Sequence, residues 1–278
     1  MQDLAGVSFC AGSLSRALSL ASEHLEDFQN RLKAAVASAP VLHAELRSPD
    51  TANVTDETGS RVQGKLRWFH VRCTPTLSCL FRHKRRGGEP VADLLSYAGR
   101  WVSDFHSNYV TLACKHQFCG AHLLRELTFA SCVLGEPWAS SLSGVIKVWN
   151  ARALARRFDA VVQEGLSAHP LPPPPGKKRV ARGKVRCLLN RLANYRDEYL
   201  AFLFDLALPF TNNEAERDVR MLKVKGKVSG CFRTEAGADV FCRLRSHVQT
   251  CRKQGRDLLA CLQSVFGGQP ELPCFDTA

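Results

Sequence analysis

The hydrophobic pattern divides the chain into helical ends and a strand-rich centre. Apolar residues recur at three- and four-residue steps between residues 12 and 37, which predicts one amphipathic helix. A segment containing Pro, Asp and Asn follows at 47–53 and is typical of a loop. Segments rich in β-favouring residues then predict three strands, at 54–62, 65–73 and 76–83.

The second half of the pattern is mostly helical. A helix at 90–97, a short strand at 100–103 and a helix at 118–134 are predicted next. The helical pattern from 135 to 200 is interrupted by a Pro-rich basic tract, LPPPPGKKRVARGK. From residue 213 onwards the pattern is helical again, with breaks at Gly226–Gly230 and Gly237. There is no internal repeat.

Composition points to a polyanionic partner. The 278 residues include 38 Lys and Arg against 26 Asp and Glu, giving a net charge of +12 and a pI near 9.3. Nucleic acid is favoured over a membrane, because the longest apolar run, at 199–210, contains Asp205 and is too short to span a bilayer. The N-terminus lacks a secretory pattern, so we expect a cytoplasmic protein whose cysteines are reduced.

The order of predicted elements indicates a fold class. Three antiparallel strands, a helix, a strand and then helices form the start of an RNase H-like α/β (α+β) layout. In such a fold, acids from the first strand, the fourth strand and a later helix hold two divalent ions for phosphoryl transfer. Asp56 lies in the predicted first strand and Asp104 at the end of the fourth.

The third acid follows from helix geometry at 211–227. Thr211 and Glu214 have the spacing of a capping box, which gives Glu214 a local role. Glu216 is about 200° around the helix from Glu214 and faces elsewhere. Three cations follow on the Glu216 face: Arg220, Lys223 and Lys227. A carboxylate followed by a basic stripe suits a site for metal and phosphate.

Each acid alone has a simpler interpretation. A single Asp before a turn is usually a cap or a solvated loop residue, and a Glu four residues before an Arg is usually a surface pair. The joint arrangement of Asp56, Asp104 and Glu216 on matching elements is what favours a metal site.

Four segments carry a resemblance to a known family. They are TDETGSRVQGKLRWFHV (55–71), SDFHSNY (103–109), HQFCGAHLLRELT (116–128) and the long block PFTNNEAERDVRMLKVKGKVSGCFRTEAGADVFCRLRSHVQTCRKQG (209–255). With these motifs the chain resembles, from about residue 5 to 270, the catalytic part of a bacterial DDE transposase of the insertion-sequence-66 family. The resemblance implies that Asp56, Asp104 and Glu216 are the catalytic, metal-binding acids. It also implies that Arg217 supports them through a phosphate or carboxylate contact.

The resemblance also implies an activity and partners. The chain would cleave DNA at the ends of an insertion sequence and transfer the strands to target DNA, using two Mg²⁺ (or Mn²⁺) ions. We expect the chain to form a homo-oligomer, to act with accessory transposition proteins and not to bind a membrane. We expect it to associate with the nucleoid in the bacterial cytoplasm. A helical insertion would separate the second and third acids. The expected divisions are a helical segment at 1–40, the first part of the core at 41–134, the insertion at 135–205 and the remaining core at 206–278.

Two departures from the family leave an alternative open. Family members usually have a longer N-terminal region for DNA recognition, so we expect an N-terminally short form. The segment at 45–54 is extra sequence ahead of Asp56. The alternative function is a truncated remnant that binds DNA without catalysis.

Basic tracts and a Cys/His run complete the candidate residues. Contact with the DNA backbone is expected from nine cations: Arg217, Arg220, Lys223, Lys225, Lys227, Arg233, Lys177, Lys178 and Arg179. Cys119 and His122 have the spacing of two zinc ligands, but no second Cys-x-x-Cys pair completes a standard site. Packing, or a phosphate contact from His122, is therefore favoured over zinc.

Overall fold

The chain is a mixed α/β protein with a five-stranded open sheet. The computed structural model describes residues 10–47, 62–84, 97–105, 107–110, 114–146, 151–170 and 183–276. The strands are β1 (Val41–Arg47), β2 (Trp68–Cys73), β3 (Ser78–His83), β4 (Arg100–Ser103) and β5 (Lys115–Phe118). They pair in the order β3-β2-β1-β4-β5, and both β1–β2 and β2–β3 are antiparallel.

Helices make up most of the remaining described structure. They are α1 (Ala11–His24), α2 (Glu26–Ser38), α3 (Ser107–Val110), α4 (Gly120–Cys132), α5 (Pro137–Ile146), α6 (Ala151–Ala168), α7 (Lys184–Asn194), α8 (Arg196–Leu200), α9 (Asn213–Ser229), α10 (Glu235–Lys253) and α11 (Leu258–Phe266), with a 3₁₀ turn at Ala201–Leu203. No helix in the described ranges combines the length and apolar character needed to cross a membrane.

The chain forms two compact units. Unit 1 comprises residues 1–101, 106–114 and 213–278, and unit 2 comprises residues 102–105 and 115–212. Strand β4 therefore contributes residues to both units. The predicted division into four segments is a different partition and stays a prediction.

Unit 1 buries apolar side chains on both faces of its strands. On one face, Phe28 and Leu32 of α2 pack in a cluster with Leu42 and Trp101. On the other face, side chains of β2 and β3 pack against α9 and α10; this second cluster includes Phe69, Val71, Leu80, Val219, Leu222 and Ala238. Alternation along β2 produces this division, since successive side chains of a strand point to opposite faces.

Ion pairs connect the start of α10 to the sheet. Arg82 of β3 donates two hydrogen bonds to the Asp239 carboxylate, both at 2.9 Å. Arg67, just before β2, donates from Nε to Glu235 at 2.9 Å. The hydrogen bond from Arg67 lowers the pKa of Glu235. These ion pairs hold the N-terminal end of α10 against the β2–β3 hairpin in unit 1.

The structure differs from the predicted elements in four places. Gly237, where a helix break was predicted, lies inside α10, which begins at Glu235. The predicted N-terminal helix is two helices, because the chain turns at Leu25, whose side chain is fully buried. Strand β1 was not predicted, since Leu42, His43 and Ala44 are all buried and a central strand shows no apolar–polar alternation. The short strand β5 was likewise missed.

The predicted first strand, 54–62, lies outside the described residues except for Val62. That residue forms isolated bridges with Lys65 and Phe232. The predicted helix at 90–97 also lies outside the described residues except for Tyr97, which is not helical.

Candidate active site

Asp104 directly follows β4, and the residues before and after it in the sequence are both held in place by contacts. Ser103 is fully buried, and its carbonyl oxygen accepts a hydrogen bond from the backbone N–H of Cys119 at 2.8 Å. The Phe105 ring makes edge-to-face contacts with Phe118 and Tyr195, each with centroids 5.2 Å apart. The backbone around Asp104 is therefore held from two sides within unit 2.

The Asp104 side chain has an unsatisfied oxygen. Its Oδ1 atom is buried and has no hydrogen-bond partner among the described residues. A buried acceptor without a partner costs about 1–3 kcal/mol, so a water molecule or a cation is expected beside it. Carboxylate oxygens are the ligands that Mg²⁺ prefers. This oxygen therefore fits a metal ligand.

Arginine and tyrosine side chains surround this part of unit 2. The Arg191 guanidinium lies 4.6 Å from the centroid of the Phe105 ring and also pairs with Glu126. Burial raises the pKa of Tyr199, and the Asp104 carboxylate adds to the increase. The Tyr199 hydroxyl is consequently neutral at physiological pH.

Helix α9 presents Glu216 and the basic stripe on one face, as the spacing predicts. Glu216 is half-buried, whereas Arg220, Lys223 and Lys227 are exposed. A cavity of about 810 Å³ runs along this face and is lined by Asn213, Glu216, Arg217, Arg220, Lys223, Val224 and Lys227. The acid and the three cations that follow it thus border a single cavity in unit 1.

The opposite face of α9 is anchored by a buried ion pair. Asp218 lies 2.8 Å from the Lys253 ammonium, and their side chains are 2% and 9% exposed. Gln249 donates a hydrogen bond to Asp218 at 2.9 Å, and Lys253 donates to the Thr74 carbonyl at 2.7 Å. Because Asp218 is about 200° around the helix from Glu216, this anchor directs Glu216 away from the core of unit 1.

The predicted capping box at Thr211 and Glu214 is wrong. Helix α9 begins at Asn213, so the residue before it is Asn212. Glu214 accepts a hydrogen bond from Arg217 at 2.6 Å and lies 3.4 Å from Lys253. The Glu214 carboxylate therefore pairs with Arg217 and Lys253 and does not bond to the N-cap residue. Arg217 accordingly contacts a carboxylate, that of Glu214.

The other predicted DNA contacts divide into two groups. Lys225 lies about 180° around α9 from Glu216, with its Nζ 4.9 Å from the centroid of the Phe232 ring. Lys225 and Arg233 line a second cavity, separate from that of Glu216. Four predicted residues lie outside the described ranges: Asp56, Lys177, Lys178 and Arg179.

The Cys-x-x-His motif joins β5 and α4 to the segment that precedes α9. Cys119 is buried, and its Sγ accepts a hydrogen bond from the Asn212 backbone N–H at 3.2 Å. The Gly120 N–H donates to the Phe210 carbonyl at 2.8 Å. A Cβ atom on Gly120 would lie 2.0 Å from the Phe210 ring, so the close approach requires glycine. Sequence reasoning missed this contact, although the glycine in the motif was a signal for it.

The same motif offers two metal-ligand atoms in unit 2. A His122 ring nitrogen and Cys119 Sγ lie within 4.8 Å of each other. His122 also lies 3.5 Å from Arg125 Nη1. The hydrogen bond from Asn212 supports the packing interpretation of Cys119.

Comparison with known proteins identifies a family. A sequence model described as the transposase IS66 family matches residues 1–240 of the chain. The matched range contains Asp56, Asp104, Glu216 and all of the basic stripe. No curated protein and no solved structure matches the chain.

Proposed function

Because the chain belongs to the IS66 family of transposases, we propose that it is a DDE transposase catalytic domain that cuts the DNA of an insertion sequence and joins it to target DNA. The family match over residues 1–240 carries this proposal. Its site would consist of Asp56, Asp104 and Glu216. The presence of all three acids favours catalysis over the alternative of a DNA-binding remnant.

An RNase H-like core is part of the proposal. The strand order β3-β2-β1-β4-β5, with three antiparallel strands first, supports it. The helices α5 to α8, which lie within the predicted insertion at 135–205, would separate the second and third acids. The position of Asp104 after the fourth described strand and of Glu216 on a later helix supports this layout, whereas the first described strand, β1, does not contain Asp56.

The acids fit divalent metal ions. Asp104 offers a buried carboxylate oxygen without a hydrogen-bond partner among the described residues, and Glu216 offers a half-buried carboxylate on a fixed helix. Asp56 is included in the proposed site only because of its motif. When bound, two Mg²⁺ or Mn²⁺ ions activate the attacking oxygen and stabilise the leaving oxygen of an in-line displacement.

The protein's own groups would bind and orient the DNA. Arg220, Lys223 and Lys227 border the same cavity as Glu216, so phosphates bound there would lie alongside that carboxylate. Phosphate contacts fix the register of a protein on DNA without reading sequence. We further propose that the chain acts as a homo-oligomer with accessory transposition proteins; the mass of its DNA complex would test this.

The test is metal-dependent nicking of a supercoiled plasmid. Asp56→Asn, Asp104→Asn and Glu216→Gln each keep the side-chain volume and remove the charge, so we expect a loss on the order of a hundredfold or more. Asp197→Asn and Glu271→Gln are matched controls, since these side chains are 87% and 62% exposed and pair with the arginines Arg196 and Arg256, away from the three acids in sequence. Nicking that survives all three site substitutions would refute the proposal.

A further inference from the structure

A second basic cavity lies in unit 1, away from the Glu216 face. Its volume is about 580 Å³, which is within the range of ligand sites. Three cations line it: Lys225, Arg233 and Arg245. None of the residues that line this cavity is Asp or Glu. Positive charge is therefore concentrated in a concave space that lacks a carboxylate.

Arg245 is the most unusual of these cations. It is half-buried, and its Nε atom is buried without a hydrogen-bond partner among the described residues. Burial lowers the pKa of Arg245, and the Asp218 carboxylate only partly opposes that change. Asp218 itself is engaged by Lys253 at 2.8 Å. A half-buried guanidinium that has no ion pair among the described residues is costly, and a bound anion would remove that cost.

The remaining lining defines the shape of a ligand. Hydroxyl groups of Ser15, Ser229 and Thr234 add hydrogen-bonding capacity for oxygen atoms. Four apolar side chains also line the cavity: Leu18, Phe241, Leu244 and Val248. A phosphate would pair with the cations, and a flat organic group would pack against the apolar side chains.

We propose that this cavity binds one nucleotide unit, with the phosphate at Arg233 and Arg245 and the base against Phe241. The nucleotide could come from a DNA strand or from a free nucleotide, and the two share the same chemistry. The site is independent of the proposed metal centre, since Lys225 projects from the side of α9 opposite Glu216.

The experiment measures binding in EDTA, so the result does not depend on metal or on cleavage. Calorimetry would compare dAMP with a ten-nucleotide single-stranded oligonucleotide. We expect Arg233→Met and Arg245→Met each to weaken binding about tenfold, the cost of one charge-assisted contact. Lys33→Met, which removes an exposed charge from α2, should leave affinity within about twofold.

Three outcomes distinguish a site for a free nucleotide, a site for a DNA strand and a failure of the proposal. Binding of dAMP that depends on Arg233 and Arg245 identifies a free-nucleotide site. Oligonucleotide binding with the same dependence, without dAMP binding, identifies a DNA strand. The proposal is overturned if neither ligand binds, or if oligonucleotide binding depends on Arg220 and not on Arg233 or Arg245. Arg233 is exposed, so its variant remains informative even if Arg245→Met does not fold.

Discussion

The Asp218 carboxylate and the Lys253 ammonium lie 2.8 Å apart in the interior of unit 1 and join the middle of α9 to the end of α10. The proposed metal ligand Glu216 precedes Asp218 by two residues on α9. The same short segment thus contains an acid that fixes the helix and an acid that is directed away from the core. Substitutions at the two positions should have different consequences.

Removing one partner of this ion pair should destabilise the fold. In Asp218→Asn, the Lys253 ammonium would keep Glu214, at 3.4 Å, as its one carboxylate partner among the described residues. We expect a loss of about 3 kcal/mol in the free energy of unfolding. Urea denaturation would measure it, and the double variant Asp218→Asn/Lys253→Met should recover part of the loss, because the asparagine can still accept the hydrogen bond from Gln249 and no buried charge is left unpaired. Equal losses in the single and double variants would contradict this account.

Adding a methyl group at Gly120 should separate β5–α4 from the segment before α9. The new Cβ would lie 2.0 Å from the Phe210 ring, so Gly120→Ala should cost about 1–3 kcal/mol by overpacking. Gly144→Ala is the matched control, because nothing lies within 4 Å of its Cβ. Thermal unfolding should show recovery when Phe210→Leu is combined with Gly120→Ala. No recovery would mean that the ring is not the obstacle.

Neutralising the basic stripe should change the salt dependence of DNA binding. If Arg220 and Lys227 each contact one phosphate, then Arg220→Gln and Lys227→Gln should each reduce the slope of log Kd against log salt by about 1. Fluorescence anisotropy with a labelled duplex would measure the slope. Lys33→Gln should leave it unchanged. A slope that is unaffected by both stripe variants would remove α9 from the DNA interface.

Buried His247 should make stability depend on pH. The residue is 1% exposed and packs edge-to-face on Phe28. Burial lowers the pKa of His247, so the unfolded chain, whose histidine pKa is about 6.5, binds the proton more readily. Its contribution is complete above pH 6.5 and is lost as the pH falls towards the folded pKa. Urea denaturation of His247→Phe should show a weaker pH dependence, by up to about one proton; an unchanged dependence would count against this role.

Local periodicity explains which features were predictable. The common face of Glu216, Arg220, Lys223 and Lys227 depends only on helix geometry, and the structure has it. The central strand β1 shows no alternation because both of its faces are buried, so the pattern could not reveal it. The contact between Gly120 and Phe210 joins distant parts of the sequence. Periodicity contains no information about such pairs.

If the Asp104 carboxylate binds a catalytic metal ion, as we propose, exchanging its oxygen ligand for sulfur should change which metal supports nicking. Mg²⁺ binds sulfur ligands poorly, whereas Mn²⁺ accepts them more readily. Asp104→Cys should therefore fail to nick plasmid DNA in Mg²⁺ and should regain nicking in Mn²⁺, while Asp104→Ala stays inactive in both. The proposal would be contradicted if Asp104→Cys nicked DNA in Mg²⁺ at the wild-type rate. It would also be contradicted if Asp104→Cys were no more active than Asp104→Ala in Mn²⁺.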